Sequence, residues 1–543
     1  MKQQRKVLLC GTHPQQFNGY SKVVFELSRE LCKFEDIKLY IFGFQNFYED
    51  ADHIKERQLP ESVEIFDPFK NEEPKAKGFG EKLINDYIMK ISPDIVIVYN
   101  DLIVISTLIR NILTIPDRKF KIVPYIDVVY KNEKQALINY INENCDGGIA
   151  FTEYWKKCLI DQEFTKPLWT LEHAFNPNQY FPIPKHVARK YFELGNDDFI
   201  IMNLNRNQPR KRWDACIKAY VKFVSTHRED NIKLMVMTAV KGAWDLIELM
   251  KAEGRKYGMS IFDLKRFFTF IQNPQKMSDN EINIMYNAAD IGWNTCDGEG
   301  FGLCNFEQAG VGVPQVVPNI GGFRDFFNGE NSFTVDPVIE IHGDKDKDPC
   351  AGDQELCLVD DFVRGLEAYY TDVELRKRHG AQCRRDILKY SWKDKAAKLR
   401  NTVLESTNDL FSTDSSEDLM QSINNLISQE TTDDSNEDDD IDIDKLINDK
   451  LVEEGIMKMK KEEPKPKPKP KPEPKPEPEP EPKPEPKPEP KPEPEPKLKP
   501  KPEGIKNEVI PTVESDDALY KLSPKELLEL QKKIDKVLNS PIK

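Results

Sequence analysis

Residues 290–319 read DIGWNTCDGEGFGLCNFEQAGVGVPQVVPN. Their order is that of a strand, a glycine-rich loop, a helix and a second strand. The apolar run at DIGW stops at polar residues. Gly298, Gly300 and Gly302 then let the backbone bend and approach a ligand closely, and a helix opening near Leu303 offers unpaired N–H groups to an anion. Glu299 lies before that opening and Glu307 within its first two turns, where the helix dipole favours a carboxylate by about 0.3–1 kcal/mol. A Glu fixed there can also accept two hydrogen bonds from the vicinal hydroxyls of a ribose. Spacing alone leaves both roles open.

The same strand-to-helix alternation extends in both directions. KVLLCG (6–11), IKLYIFGF, PDIVIVYN (93–100), FKIVPYIDVVY (120–130) and GGIAF are apolar, Val/Ile-rich runs separated by polar or helical sequence. Continuous strands of this kind belong to a parallel sheet covered on both faces. The pattern is interrupted at LEHAFNPNQYFPIP (171–184), whose Asn-Pro and later prolines mark a linker. It resumes at DFIIMNLNRN and runs through IKLMVMTA and KRFFTFIQ to the segment quoted above. The expected fold is α/β, with two Rossmann-like parallel-sheet domains, 1–185 and 186–388, facing a central cleft, and ligand bound outside the carboxyl ends of the strands.

Two more strand ends are chemically marked. NRNQPRKRW places Arg206, Arg210, Lys211 and Arg212 within seven residues, just before a helical segment. This is either a solvated basic turn or a set of cations converging on phosphate. In HPQQFNGYSKVV, Gly19 immediately precedes the first helix, as a plain loop glycine or a point of backbone approach to phosphate. A basic turn, a glycine-opened helix, two carboxylates and a facing glycine loop together suit a nucleoside diphosphate bearing a sugar.

Composition bounds the remaining choices. The 543 residues carry a formal net charge of −15, which argues against a general nucleic-acid or anionic-membrane binder. Ten of those charges are local, because Glu430–Glu454 holds twelve acidic residues against Lys445 and Lys450. The folded part is thus only mildly acidic, and a basic pocket remains compatible with the total. Ten cysteines with no CxxC pair suggest reduced thiols rather than a disulfide framework or zinc site. No run approaches the 18–20 or so apolar residues that span a membrane, and a cytoplasmic protein is expected.

Several of these segments resemble the retaining, GT-B-fold glycosyltransferases of family 4. EGFGLCNFEQAGVGVPQVVPNIGG is similar to their E-x7-E signature, with Glu299 and Glu307 as the two acids. NRNQPRKR resembles the Arg-x4-Lys phosphate motif, NGYSKVVFELSREL the first-helix segment, and EHAFNPNQYFP the interdomain segment. YSWKDKAAKLR (390–400) is similar to the final helix that crosses back onto the first domain, giving a crossover segment at 389–405.

The resemblance spans roughly residues 5–405 and implies roles. Arg206 and Lys211 would neutralise the donor diphosphate, Glu307 would bind the ribose, and Glu299 with Gly300, Phe301, Gly302 and Leu303 would hold the donor sugar and phosphate. Many members carry a His before the Asp that follows the KIVPYIDVVY strand; here that position is Ile126, so Asp127 is the nearest candidate to contact the transferred sugar or the acceptor hydroxyl. His13 and His173 are the other candidates.

The implied reaction is sugar transfer from a UDP- or GDP-linked donor to an unidentified acceptor, with retention and with neither cofactor nor catalytic metal. A glycoside hydrolase also uses paired carboxylates but needs no basic turn or glycine-opened helix. A catalytically inactive scaffold of the same fold is the other alternative, suggested by the missing His and the long tail; it would bind no nucleotide.

The remainder divides into an acidic linker (406–463), a Pro-Lys-Glu spacer (464–504) favouring extended polyproline II, and a tail (505–543). SPKELLELQKKIDKVLN begins with Ser523 and Pro524 as helix-start residues. Its apolar stripe gives a short amphipathic helix at 524–538, a candidate for docking a protein partner. No role follows from the sequence of the 340–357 insert.

Overall fold

The computed structural model describes residues 4–46, 56–70, 78–271, 277–343 and 350–408. Apart from residues 406–408, which end the last helix, the expected acidic linker, spacer and tail lie outside the described residues.

The first sheet is built from β1 (Arg5–Thr12), β2 (Ile37–Phe44), β3 (Glu64–Phe66), β4 (Ile95–Asp101), β5 (Lys121–Ile122), β6 (Tyr125–Asp127), β7 (Gly148–Ala150) and β8 (Leu168–Thr170). Their order is 3-2-1-4-6-7-8, with β5 also pairing on β4, and every pairing is parallel. The second sheet comprises β9 (Phe199–Asn203), β10 (Ile232–Val236), β11 (Phe268–Phe270), β12 (Ile291–Trp293), β13 (Gln315–Pro318) and β14 (Phe333–Val335), ordered 11-10-9-12-13-14 and again wholly parallel. Both are doubly wound sheets, as the alternation predicts. The order reverses beside β1 in one and beside β9 in the other, which opens a crevice at the carboxyl ends of the strands.

The strands are buried because both faces are covered. Val7, Leu8, Ile95, Val96 and Val98 are inaccessible to solvent in the first lobe, as are Ile201, Leu234 and Val316 in the second. That explains the absence of polar alternation along these runs. The first helix, Gly19–Leu31, is capped by Asn18, whose side chain accepts from the Ser21 N–H at 2.8 Å, and it buries Val23, Val24, Leu27 and Leu31.

The sequence reading missed the short edge strands β3, β8 and β14. It also read 120–130 as one strand, whereas Pro124, which has no N–H to donate, separates β5 from β6. The 340–357 insert contains an antiparallel ribbon, β15 (Ile339–Gly343) with β16 (Gly352–Leu356). It reaches the first lobe, where the Lys134 N–H donates to the Cys350 carbonyl (3.0 Å) and the Asp353 N–H to the Lys131 carbonyl (2.7 Å).

The last helix, Trp392–Thr407, leaves the second lobe and packs on the first helix, burying Ala396, Leu399 and Val403. Arg400 pairs with Asp36 and lies over the Phe34 ring at 5.3 Å. Leu399→Ala should cost about 2–5 kcal/mol of unfolding free energy in urea titrations. Arg400→Ala, which breaks a partly exposed pair, should cost no more than about 1 kcal/mol.

Candidate active site

Between the lobes lies a cavity of about 240 Å³, on which the basic turn, the glycine loop, Gly19 and Asp127 converge. The basic turn forms the floor on the second-lobe side. Pro209–Lys211 is a single 3-10 turn, and Arg212 takes a left-handed conformation (φ 49°) before the helix Trp213–Thr226 begins. Backbone bonds tie this turn to the glycine loop: the Asp297 N–H donates to the Arg210 carbonyl at 3.0 Å, and the Thr295 hydroxyl to the Arg212 carbonyl at 3.2 Å. Arg206, Arg210 and Lys211 line the cavity as a result.

Glu299 sits among these cations. Its carboxylate is ion-paired with Lys211 and lies 3.6 Å from Arg210, whose guanidinium also donates to the Gly298 carbonyl at 3.2 Å. Burial alone would raise the Glu299 pKa, but Lys211 and Arg210 outweigh it and hold the carboxyl below its ordinary value. Three cations and one carboxylate leave a net positive wall.

The glycines have different tasks. Gly302 caps the helix Leu303–Gly310 with φ 81°, and a Cβ there would lie 2.0 Å from the Phe323 ring. Gly300 passes so close to the first lobe that a Cβ would fall 2.0 Å from Asp127 Oδ1. Phe301, Gly302 and Leu303 line the cavity, whereas Gly300 supports it from behind. Gly19 lies opposite, at the N-terminus of the first helix, with the Leu303 side chain 3.5 Å from where its Cβ would be.

The first lobe supplies Asp127, at the end of β6, which accepts a hydrogen bond from the Tyr20 hydroxyl. Burial, then Asp127, then Asp101 hold that phenol well above its ordinary pKa, so it stays a donor. His173 also lines the cavity. Burial and then Lys395 push its pKa down to about 3, and it is neutral at physiological pH. The Tyr125 hydroxyl donates to the Leu171 carbonyl (2.6 Å) and so accepts from His173 Nδ1 (2.9 Å). This assigns the tautomer with an unprotonated Nε2, which the Tyr99 hydroxyl approaches at 3.4 Å. His13 is packed against Gly43 and lines neither this cavity nor its neighbour.

That neighbour, of about 190 Å³, shares Gly19, Leu204, Asn205, Arg206, Leu303 and Cys304 with the first. Beside it runs an ionic network that the sequence did not disclose. Lys22 of the first helix donates to both Glu307 oxygens at 2.8 Å, and Tyr286 donates to one of them at 2.9 Å. Arg57 holds Asp279 in a two-pronged pair (2.8 and 2.7 Å), and Tyr180 adds a bond at 3.1 Å. Lys22, Arg57, Asp279 and Tyr286 line the second cavity, while the Glu307 carboxylate lies behind them. Burial raises the Glu307 pKa more than Lys22 and Tyr286 lower it. The only sequence signal for Lys22 is a lone cation on the cleft-facing end of an apolar helix; for Arg57 there is none.

A family model described as "Family 4 Glycosyltransferase in conflict systems" matches residues 162–399. Sucrose-phosphate synthase from Thermosynechococcus elongatus superimposes with a TM-score of 0.55 at 15% identity, over 74% of this chain and 99% of that one. Anabaena HepE in complex with UDP and glucose gives 0.53 at 14% identity, over 74% and 100%. The chain has the GT-B fold of these structures, and its residues 162–399 are similar to family 4 glycosyltransferases. Among curated proteins, mannosylfructose-phosphate synthase of Agrobacterium fabrum is 23% identical over 203 residues, which is 36% of this chain and 43% of that protein. The similarity therefore spans less than half of that relative's length. In this GT-B body all ten cysteines are free thiols, and no described helix is long and apolar enough to cross a membrane.

The Asp279–Arg57 pair has a defined pH signature. Burial would raise the Asp279 pKa, yet Arg57, then Lys22 and Tyr180, bring it from 3.8 down to about 2. A depressed carboxyl stabilises the fold above its unfolded pKa and loses that contribution as pH falls through the folded value. About 2 kcal/mol should be lost between roughly pH 4 and pH 2. Urea titrations across that window should show a shallower decline for Asp279→Asn than for the parent chain.

Proposed function

We propose that this chain transfers a sugar from a nucleoside diphosphate donor to an acceptor hydroxyl in the cytoplasm, with retention at the anomeric carbon and without a catalytic metal. The observation that carries the proposal is the convergence of Arg206, Arg210, Lys211 and the N-terminus of the Leu303 helix on one cavity, facing Asp127, Tyr20 and Gly19. The two charges of a diphosphate match the net positive charge left after Glu299 is counted.

The demanding event is departure of the nucleoside diphosphate, on which negative charge grows. In this reading Arg206 and Lys211 line the cavity where that charge develops, and the helix N–H groups add donors without reorganisation. Asp127, already held by the Tyr20 hydroxyl, orients the acceptor hydroxyl or the transferred sugar. HepE, solved with UDP and glucose, supports UDP as the first nucleotide to try. Among the described residues, no group of three or more His, Cys, Asp or Glu side chains is arranged to hold a metal ion. Glu299 and Glu307 are poorly placed to cleave a glycoside as an acid–base pair, since each is engaged by its own lysine.

UDP should raise the melting temperature of the full-length protein, with a stabilisation of about 2.7 kcal/mol at a hundredfold excess over Kd. Arg206→Ala and Lys211→Ala should each lower kcat about 100- to 1000-fold, equivalent to about 2.7–4 kcal/mol, with EDTA leaving the parent rate unchanged. Complete inactivation by EDTA would sink the metal-free scheme. Absence of binding by UDP, GDP and ADP at millimolar concentration would leave a scaffold.

A further inference from the structure

The glycine loop of the second lobe is held by a side chain of the first. Trp155, in the first turn of the first-lobe helix Glu153–Asp161, is buried, and its indole Nε1–H donates to the Gly300 carbonyl at 2.7 Å. Thr152 caps this helix by accepting the Trp155 backbone N–H at 3.2 Å. The same helix end is fastened to the second-lobe turn Gly321–Asp325. The Tyr154 N–H donates to Asp325 Oδ2 (3.2 Å), and Arg324 donates to the Tyr154 hydroxyl (2.8 Å) and lies over its ring at 4.8 Å. Gly321 makes room for the indole: at φ 46°, a Cβ there would lie 2.9 Å from the Trp155 ring and 2.3 Å from the Glu299 carbonyl oxygen.

Two consecutive carbonyls of the glycine loop are thus engaged by donors, Glu299 by the Gly322 N–H at 3.0 Å and Gly300 by Trp155. Neither donor is among the described residues lining the larger cavity, whereas Phe301 is. In a trans peptide the N–H points opposite to the C=O. The bond that draws the Gly300 carbonyl toward Trp155 therefore turns the Phe301 N–H the other way, toward the cavity. The left-handed Gly302 (φ 81°) then passes into the helix Leu303–Gly310, a succession of conformations that gathers consecutive N–H groups into an anion-binding concavity. The Phe301 N–H stands at the edge of that run, and its direction is set by a residue of the opposite lobe.

We infer that Trp155 is a positioning residue for the donor diphosphate: its indole N–H aims the Gly300–Phe301 peptide so that the Phe301 N–H joins the helix N-terminus in binding phosphate. The inference rests on the donor-site reading above. It makes the hydrogen-bonding edge of the site a property of the joined lobes, because Gly300 has no side chain to resist a flip of that peptide once the indole is withdrawn.

The test uses the full-length protein. Trp155 is replaced, at this position alone, by benzothienylalanine, which keeps the fused ring and puts sulfur in place of the N–H; Trp155→Phe is the second variant. UDP and uridine are titrated by calorimetry and NMR. Both variants should bind UDP about tenfold more weakly, as for loss of one hydrogen bond to a charged group, with uridine binding and melting temperature unchanged. In the parent protein, UDP should move the Phe301 amide proton downfield, and uridine should leave it in place. Unchanged UDP affinity in the folded benzothienylalanine variant would overturn the inference, as would equal weakening of UDP and uridine, the mark of a merely structural role. So would a Phe301 amide that ignores UDP in the parent, a measurement that requires no variant to fold. Failure of the parent to bind UDP would instead strike the donor-site reading, and this inference with it.

Discussion

The ammonium of Lys22 lies 2.8 Å from both oxygens of Glu307, although the two residues belong to different lobes and are 285 positions apart. Arg57 and Asp279 repeat the arrangement a short distance away, again with the cation from the first lobe and the carboxylate from the second. Buried charges of this kind tolerate little displacement, because removing one partner leaves the other uncompensated at a cost of about 3–5 kcal/mol. The relative placement of the two lobes in this state is therefore specified by polar geometry, with Tyr286 and Tyr180 completing it. A ribose that reached Glu307 would have to take over hydrogen bonds now made by Lys22. In the proposed reading, ribose binding at Glu307 and separation of this pair would be linked through one carboxylate.

Everything the cleft presents follows from two sheets of the same topology set with their carboxyl ends facing. In each, the strand order reverses beside the first strand, so the loops after β1, β4 and β6 meet those after β9 and β12. The second lobe contributes the cations, held by a 3-10 turn stitched to the glycine loop. The first contributes carboxylates, a phenol and a neutral imidazole. Among the described lining residues, the two walls thus differ in the groups they present.

The strands buried on both faces were legible because their Val/Ile runs carry no other explanation, and the parallel sheets followed from their alternation with helices. The edge strands were not, since EIF, LWT and FTV are three residues each and owe their conformation to the neighbour they pair with. The site separated in the same way. Arg206, Lys211, Glu299 and the glycines announce themselves by clustering within short stretches at strand ends. Lys22 is one of two cations on its helix, with Arg29 in the last turn, and Arg57 lies in an irregular segment; the Lys22–Glu307 and Arg57–Asp279 pairs each join residues more than 200 positions apart. Local pattern does not encode such pairs. The ribbon of the 340–357 insert, with five-residue strands, was missed for a related reason: Val338, Ile339 and Ile341 are exposed, so no buried face disciplines its sequence.

Gly300 brings local and distant constraints to the same atom. Read along the chain, it is one of three glycines that loosen a loop. Its φ is not in the left-handed region, so backbone freedom is not what requires it. The requirement comes from the other lobe, where Asp127 Oδ1 lies 2.0 Å from the position a Cβ would occupy. Trp155 fixes the approach from the same side by donating to the Gly300 carbonyl at 2.7 Å. The absence of a side chain lets the second-lobe loop and the first-lobe carboxylate approach one another across the cleft. In the proposed reading, that close approach would shorten the distance a transferred group has to travel between the two walls. The glycine thus serves a contact that neither lobe makes alone.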